Sequence, residues 1–419
     1  MPAYWGYFVL TNDLQEGDAT AALFRSMVRC ALNNGESVTD CHPPGHAIDW
    51  DHLCRLFEAH GLLSLLGARA EFLGRFAMPP ALCRSIKEYA QGNSLRNRML
   101  LQEYRELVQA LRAIGIEPVA LKGIASISRI DGYESIRELA DIDILITRQQ
   151  IRAARELLEH RGYQTVYAPD TVMTGAAELS EDQADVYRHV YHEFSFVSPD
   201  GLVYVDVHWQ LSPSVYPTGI PADLPLTDIA EQGVLSPPYE LVYLCMHAAK
   251  DGWSELKWAI DIAGLMKSFS ASQWELTWNL AQRFRMRRIL LTGIALAEWL
   301  TGQTAPILDS YADKKYCPPA GTLAQLRNRL MRTPERKHRL VSCLGLNKTY
   351  IALCDESRDK LIYIFRMFTY PQPRDFIRLG LTPRILPAWG LLRPFAITVH
   401  CLFRAFRFLV LGRRSLKDQ

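Results

Sequence analysis

Asp141 and Asp143 stand two residues apart in Asp141-Ile142-Asp143-Ile144-Leu145-Ile146. In a strand successive side chains face opposite ways, so both carboxylates project to one side while Ile142, Ile144 and Ile146 enter the core. Strand rise puts the two about 7 Å apart, a spacing at which carboxylates chelate one or two divalent cations. A second stretch repeats the arithmetic: Tyr204, Asp206 and His208 share one face, and Val203, Val205 and Val207 the other. If the two strands are neighbours, Asp206 completes a group of three carboxylates. Like-charge repulsion makes such a group unfavourable unless cations fill it. Magnesium is the cation these ligands favour, and two magnesium ions so held stabilise the attacking and leaving oxygens of an in-line displacement at phosphorus.

A phosphate chain needs its own binding group. Lys122-Gly123 fits that need at a strand-to-helix junction, where helix N–H groups are free, glycine allows close approach and lysine brings a charge. Arg137, four residues before Asp141, either adds a second phosphate contact or pairs with the aspartates. His192, His208 and Lys250 are candidates for the acceptor side or for supporting the aspartates. Each piece also has an ordinary reading: Asp-x-Asp is common on a half-exposed strand, and buried histidines are often satisfied structurally. The case for chemistry is the coincidence of the Lys-Gly junction, the Asp-x-Asp strand and the third strand aspartate, in that order, in one short segment.

The elements that must position these residues follow from periodicity. Residues 1–114 read as a helical region, with helices over Ala21 to Leu32, His52 to Leu66 and Pro80 to Ile114. Residues 115–235 read as a small mixed domain. Its expected strands are Ile116 to Leu121, Asp141 to Ile146, Tyr163 to Tyr167, and a hairpin of His192 to Val197 with Leu202 to Trp209 around Ser198-Pro199-Asp200-Gly201. Helices are expected over Ile124 to Ile130 and Gln149 to His160. Residues 236–370 return to helical patterning, and 371–419 form a basic amphipathic tail. The expected class is α+β, a mixed sheet flanked by helical regions. Cys41, His42, His46, His52 and Cys54 match no recognised zinc-ligand spacing and read as an interhelical loop.

Composition narrows the field. The 419 residues carry 47 Lys+Arg against 45 Asp+Glu, a net charge of +2, which argues against general nucleic-acid binding. Nine Cys with no C-x-x-C pair suit a reducing, hence cytoplasmic, compartment. The N-terminus has no secretory pattern, and Arg393, Arg404 and Arg407 interrupt the last apolar stretch before it reaches the roughly 18 residues a spanning helix needs. From Pro373 onward nine basic residues face two acidic ones, a net +7 that leaves −5 for the remainder of a chain totalling +2. Such a tail either covers the helical half or lies on an anionic membrane surface, at the inner face of the membrane.

The stretch Ala120-Leu121-Lys122-Gly123, then Tyr133, Arg137 and Asp141 to Ile146, then Val205-Asp206-Val207-His208-Trp209, resembles the uncharacterised bacterial nucleotidyltransferases of the polymerase β superfamily. A weaker likeness runs through His247, Gly252-Trp253 and Trp258 to Asp261-Ile262-Ala263. The resemblance implies transfer of a nucleoside monophosphate from a nucleoside triphosphate such as ATP to an acceptor, with release of pyrophosphate. It implies that Asp141 and Asp143 hold magnesium, and that Asp206 binds the second metal and helps deprotonate the acceptor hydroxyl. The superfamily's usual Gly-Ser pair, about a dozen residues before the first carboxylate, is absent; Gly123 precedes Asp141 by 18 positions. A catalytically silent nucleotide- or partner-binding protein at a membrane is the alternative. The helical segment with His247, Lys250, Asp251, Trp253, Trp258 and Asp261 forms either the acceptor side of the cleft or plain core.

Overall fold

The computed structural model describes residues 17–33, 48–129, 132–166, 181–305, 314–332, 346–371 and 386–411. Its centre is a mixed seven-stranded sheet in the order β3-β4-β5-β2-β1-β7-β6, flanked by helical regions on both sides in sequence. The strands are β1 Val119–Ala120, β2 Ile142–Leu145, β3 Gln164–Val166, β4 Glu193–Val197, β5 Tyr204–His208, β6 Ala230–Glu231 and β7 Val234–Leu235. β2 and β5 run parallel, and β1 and β4 flank that pair as antiparallel neighbours.

Ahead of the sheet come α1 (Gly17–Leu32), α2 (Trp50–Ala59), α3 (Leu63–Gly67) and the long α4 (Pro80–Ala113). The helix expected over His52 to Leu66 is interrupted, because Gly61 adopts φ 63°, outside the right-handed helical region. α3 crosses α4 at Gly67, where an added Cβ would lie 2.3 Å from the Ile86 carbonyl oxygen and 2.5 Å from the Ala90 Cβ. Only the absent side chain allows that approach. Leu100, Leu107 and Leu111 of α4 belong to the same buried cluster as Ile142, Ile144, Val205 and Val207 of β2 and β5.

Between the strands lie α5 (Lys122–Arg129), α6 (Ile151–His160), α7 (Glu181–Val190) and the short α8 (Leu226–Ile229). Of the expected strand Ile116 to Leu121 only Val119–Ala120 pairs in the sheet. Three features of this region are not expected from the sequence: α7, the short α8, and the β6–β7 hairpin, whose turn residues Gln232 and Gly233 have φ 52° and 79°, as a two-residue mirror-image turn requires. Ile130 and Tyr167, expected ends of a helix and a strand, lie outside the described residues, as do Cys41, His42 and His46.

Past the sheet, α9 (Pro237–Lys250), α10 (Lys257–Met266), α11 (Ala271–Arg283) and α12 (Arg287–Thr301) form a second core that includes Trp253 and Trp258. α13 (Ala320–Leu330), α14 (Lys348–Leu353) and α15 (Ser357–Thr369) follow, and α16 (Leu386–Leu411) packs on α15. Arg393 of α16 is buried and donates from Nη1 to the Met367 carbonyl, while Leu391, Leu392, Phe395 and Val399 are exposed. Arg374, Arg378, Arg384, Arg413, Arg414 and Lys417 of the basic tail lie outside the described residues. Among those described, no helix is long and apolar enough to cross a membrane.

Candidate active site

The parallel pairing of β2 with β5 sets Asp143 directly opposite Asp206, with Ile144 opposite Val207 and Leu145 opposite His208. Neighbouring strands lie about 4.8 Å apart, so this register places two carboxylates side by side on one face. The other face is sealed: Ile142, Ile144, Val205 and Val207 are all buried. Asp141 sits one residue before β2 begins, at the end of the segment 132–140 that descends from α5.

Several buried contacts hold that segment. Asn97 of α4 donates to the carbonyls of Glu134 at 2.7 Å and Arg137 at 2.6 Å. Arg137 turns away from the aspartate pair and grips Asp261 of α10, Nε reaching Oδ1 at 2.9 Å and Nη2 reaching Oδ2 at 2.9 Å. The Tyr133 hydroxyl joins them by donating to Asp261 Oδ1 at 3.1 Å. Arg137 was expected as a phosphate contact or as a partner of Asp141 and Asp143. Its guanidinium is instead occupied by a carboxylate 124 positions away.

Lys122 opens α5 immediately beyond β1, with φ 49°, a left-handed conformation costing a lysine about 1–2 kcal/mol. Strain of this kind persists where surrounding structure over-determines it, which is common at functional sites. The strained turn directs Lys122 Nζ to Asp143 Oδ1 at 2.6 Å. Gly123 behind it allows α5 to close on the 132–140 segment, since a Cβ there would come within 2.5 Å of Leu139 Cδ2.

His208 follows Asp206 on the same face of β5 and brings Nε2 to 2.8 Å from the same Asp143 oxygen. Its Nδ1 lies 3.1 Å from Glu193 Oε2, and His192 Nε2 lies 3.1 Å from that oxygen as well. Glu193 was not foreseen from the sequence. Its signal was the hairpin around Ser198 to Gly201: the β4–β5 register pairs Glu193 with His208 and Ser195 with Asp206.

The charges are unevenly compensated. Burial alone would raise Asp143, but Lys122 and His208 hold its carboxyl well below the usual range. Burial works against the Lys122 ammonium, yet Asp143, Tyr243, Asp141 and Glu193 keep it protonated well above the usual lysine range. Glu193 falls to about 2, because His192, His208, Lys250 and Lys122 outweigh its burial. At Asp141 and Asp206 the opposing charges, Lys122, Lys257 and His208 for the first and His208 for the second, are outweighed. Burial and the neighbouring Asp143 push Asp141 up to about 6. Burial, then Glu193, Asp143 and Asp141, push Asp206 up to about 7.

Two carboxylates driven toward the protonated form mark an excess of negative charge that a divalent cation relieves. The donor atoms of Asp143, Asp206 and His208 lie within 4.8 Å of one another. Asp141 stands outside that closest group but faces the same charges. These oxygen donors fit magnesium, which is commonly shared between carboxylates and substrate phosphates.

On the helical side, His247 and Lys250 of α9 approach the site electrostatically, and burial followed by the charges of Lys122 and Lys250 holds His247 well below its ordinary range. Lys250 lies 3.9 Å from Asp251, and His247 stands edge-on to the Trp258 ring at 5.2 Å. Trp253 and Trp258 are both buried, so the aromatic residues of this segment are core.

The family model described as uncharacterised nucleotidyltransferase matches residues 46–302. The chain belongs to that family. The matched span holds Lys122, Asp141, Asp143, Glu193, Asp206 and His208, together with the Arg137–Asp261 clasp. Membership in this nucleotidyltransferase family points to transferase chemistry on a nucleotide substrate. No curated protein and no solved structure matches the chain.

Proposed function

We propose that this nucleotidyltransferase-family protein transfers a nucleoside monophosphate from a nucleoside triphosphate to a hydroxyl-bearing acceptor, in the manner of the polymerase β-like enzymes that its strand carboxylates resemble. The observation that carries the reading is the direct opposition of Asp143 and Asp206 on parallel strands, with Asp141 and the Lys122 ammonium beside them. Two magnesium ions held by Asp141, Asp143 and Asp206 would supply charge stabilisation for the attacking and leaving oxygens.

The chain's own groups divide the remaining work. The acceptor oxygen attacks the α-phosphorus, its proton passes to Asp206, and the bond from the α-phosphorus to the bridging oxygen breaks to release pyrophosphate. Asp206, directly opposite Asp143 on the neighbouring strand, is the carboxylate placed to take that proton. Lys122 neutralises Asp143 and brings positive charge beside the phosphate chain. His208 orients Asp143. Residues 115–235 constitute the catalytic unit in this reading, and the reaction belongs to the cytoplasm.

The exposed row Leu391, Leu392, Phe395 and Val399 belongs to the region carrying +7, and that pairing of apolar surface with basic charge matches an anionic lipid surface. Peripheral contact of α16 with such a membrane is part of the proposal.

The deciding experiment incubates the full chain with magnesium, α-labelled triphosphates and candidate acceptors, and follows label transfer together with intact mass. Asp141→Asn and Asp206→Asn are expected to abolish transfer while keeping the wild-type circular dichroism. A folded Asp141→Asn variant that transfers label at the wild-type rate refutes the assignment.

A further inference from the structure

We propose that His192, Glu193 and His208 form a binding site for one transition-metal ion of the zinc type, distinct from the aspartate group and joined to it through His208. The inference does not depend on the nucleotidyl-transfer reading.

Three observations carry it. The antiparallel β4–β5 register pairs Glu193 with His208, and His192, one residue before β4, is held at the end of the same hairpin by its carbonyl, which accepts from the Trp209 N–H at 2.9 Å. His192, Glu193 and His208 each bring one ligand atom within 4.8 Å of the other two, and His192 Nε2 and His208 Nδ1 stand 3.1 Å from the one glutamate oxygen. A tetrahedral ion with bonds of about 2.0–2.1 Å sets its ligand atoms about 3.3 Å apart, close to those separations. Finally, neither approach is a hydrogen bond: both His192 nitrogens and His208 Nδ1 are buried without hydrogen-bond partners among the described residues, in rings only 2% and 1% exposed. Buried imidazole nitrogens are rarely left unsatisfied, and a shared ion satisfies them.

Two imidazoles and one carboxylate select zinc, nickel, copper or iron over magnesium, and match three-ligand zinc sites that keep a fourth position open. An ion on His208 Nδ1 leaves Nε2 as the N–H donor to Asp143 Oδ1, 2.8 Å away. That is the carboxylate–histidine–metal arrangement in which the carboxylate accepting the second N–H fixes the ring's tautomer and orientation. Occupancy of this site therefore fixes the pose of Asp143.

The test uses the full chain stripped by chelation and titrated with zinc against a chromophoric competitor, with magnesium in excess. One equivalent is expected, unchanged in Asp141→Asn and weakened at least about tenfold in His192→Asn and in Glu193→Gln, the loss seen even for outer-shell partners. Cobalt in place of zinc should give the visible bands of a tetrahedral nitrogen-ligated ion in the wild type, which decides the matter if either variant fails to fold. Absence of stoichiometric zinc, or cobalt bands of octahedral oxygen ligation, overturns the proposal. So does zinc binding that Asp206→Asn weakens and His192→Asn does not, which moves the ion to the aspartate group.

Discussion

Replacing Arg137 by methionine separates a structural arginine from a substrate-binding one. Its guanidinium and the Asp261 carboxylate are 6% and 0% exposed, and Asp261 also accepts from Tyr133. Methionine fills much of the same volume but leaves the carboxylate buried with only the tyrosine hydroxyl. Breaking a buried pair in this way costs about 3–5 kcal/mol, most of it the penalty of the orphaned charge. The double variant Arg137→Met/Asp261→Leu removes both charges and should lose far less than the two single variants together, since paired residues couple. Urea unfolding followed by the fluorescence of the nine tryptophans measures the stabilities, and triphosphate titration of transfer measures KM. An Arg137→Met protein within about 1 kcal/mol of wild type, with a raised KM, refutes the clasp and returns Arg137 to the phosphates.

Gly67→Ala forces a Cβ against the Ile86 carbonyl oxygen, a backbone atom that cannot turn aside, and should cost about 1–3 kcal/mol in the same unfolding assay; a neutral effect means that α3 and α4 do not approach as described. Asp141 and Asp206 are raised to about 6 and about 7, so in metal-free protein the folded state holds protons that the unfolded chain has released. The share of stability due to these two carboxyls is therefore lost as pH rises through that range, while His60, His192 and His247, lowered by burial, act in the opposite sense; because protons compete with the cation at the carboxyls, magnesium should raise Tm more at pH 8 than at pH 5, and an equal shift at both contradicts the charge assignment. Leu391→Glu/Phe395→Glu should reduce sedimentation of the full chain with anionic vesicles and leave transfer to a soluble acceptor intact, whereas unchanged sedimentation excludes α16 as the contact.

The parts of the site carried by alternation were legible in the sequence. Asp143, Asp206 and His208 sit on valine- and isoleucine-backed strands whose period of two announces which face they share. Glu193 was harder, since its partner is known only once the hairpin register is counted back from the Ser198 to Gly201 turn. Arg137 had no local signal at all. Asp261 lies on a helix in another core, and only packing of α10 against the 132–140 segment decides between a phosphate and that carboxylate. The break at Gly61 was missed because the apolar spacing continues across it, while the left-handed backbone that stops α2 is a choice of the folded chain.

The parallel pairing of β2 with β5 also has a kinetic side. His208 and Asp143 meet across 65 positions, with β3, α6, α7 and β4 threaded between their strands. No hairpin can bring them together, so the loop must close before any contact between these strands rewards it. The pairing that sets Asp143 beside Asp206 thus carries the closure entropy of the whole intervening chain as well as the repulsion of the two carboxylates, and a cation that bridges them offsets part of that cost, so it would strengthen the centre of the sheet as well as serve the chemistry upon it.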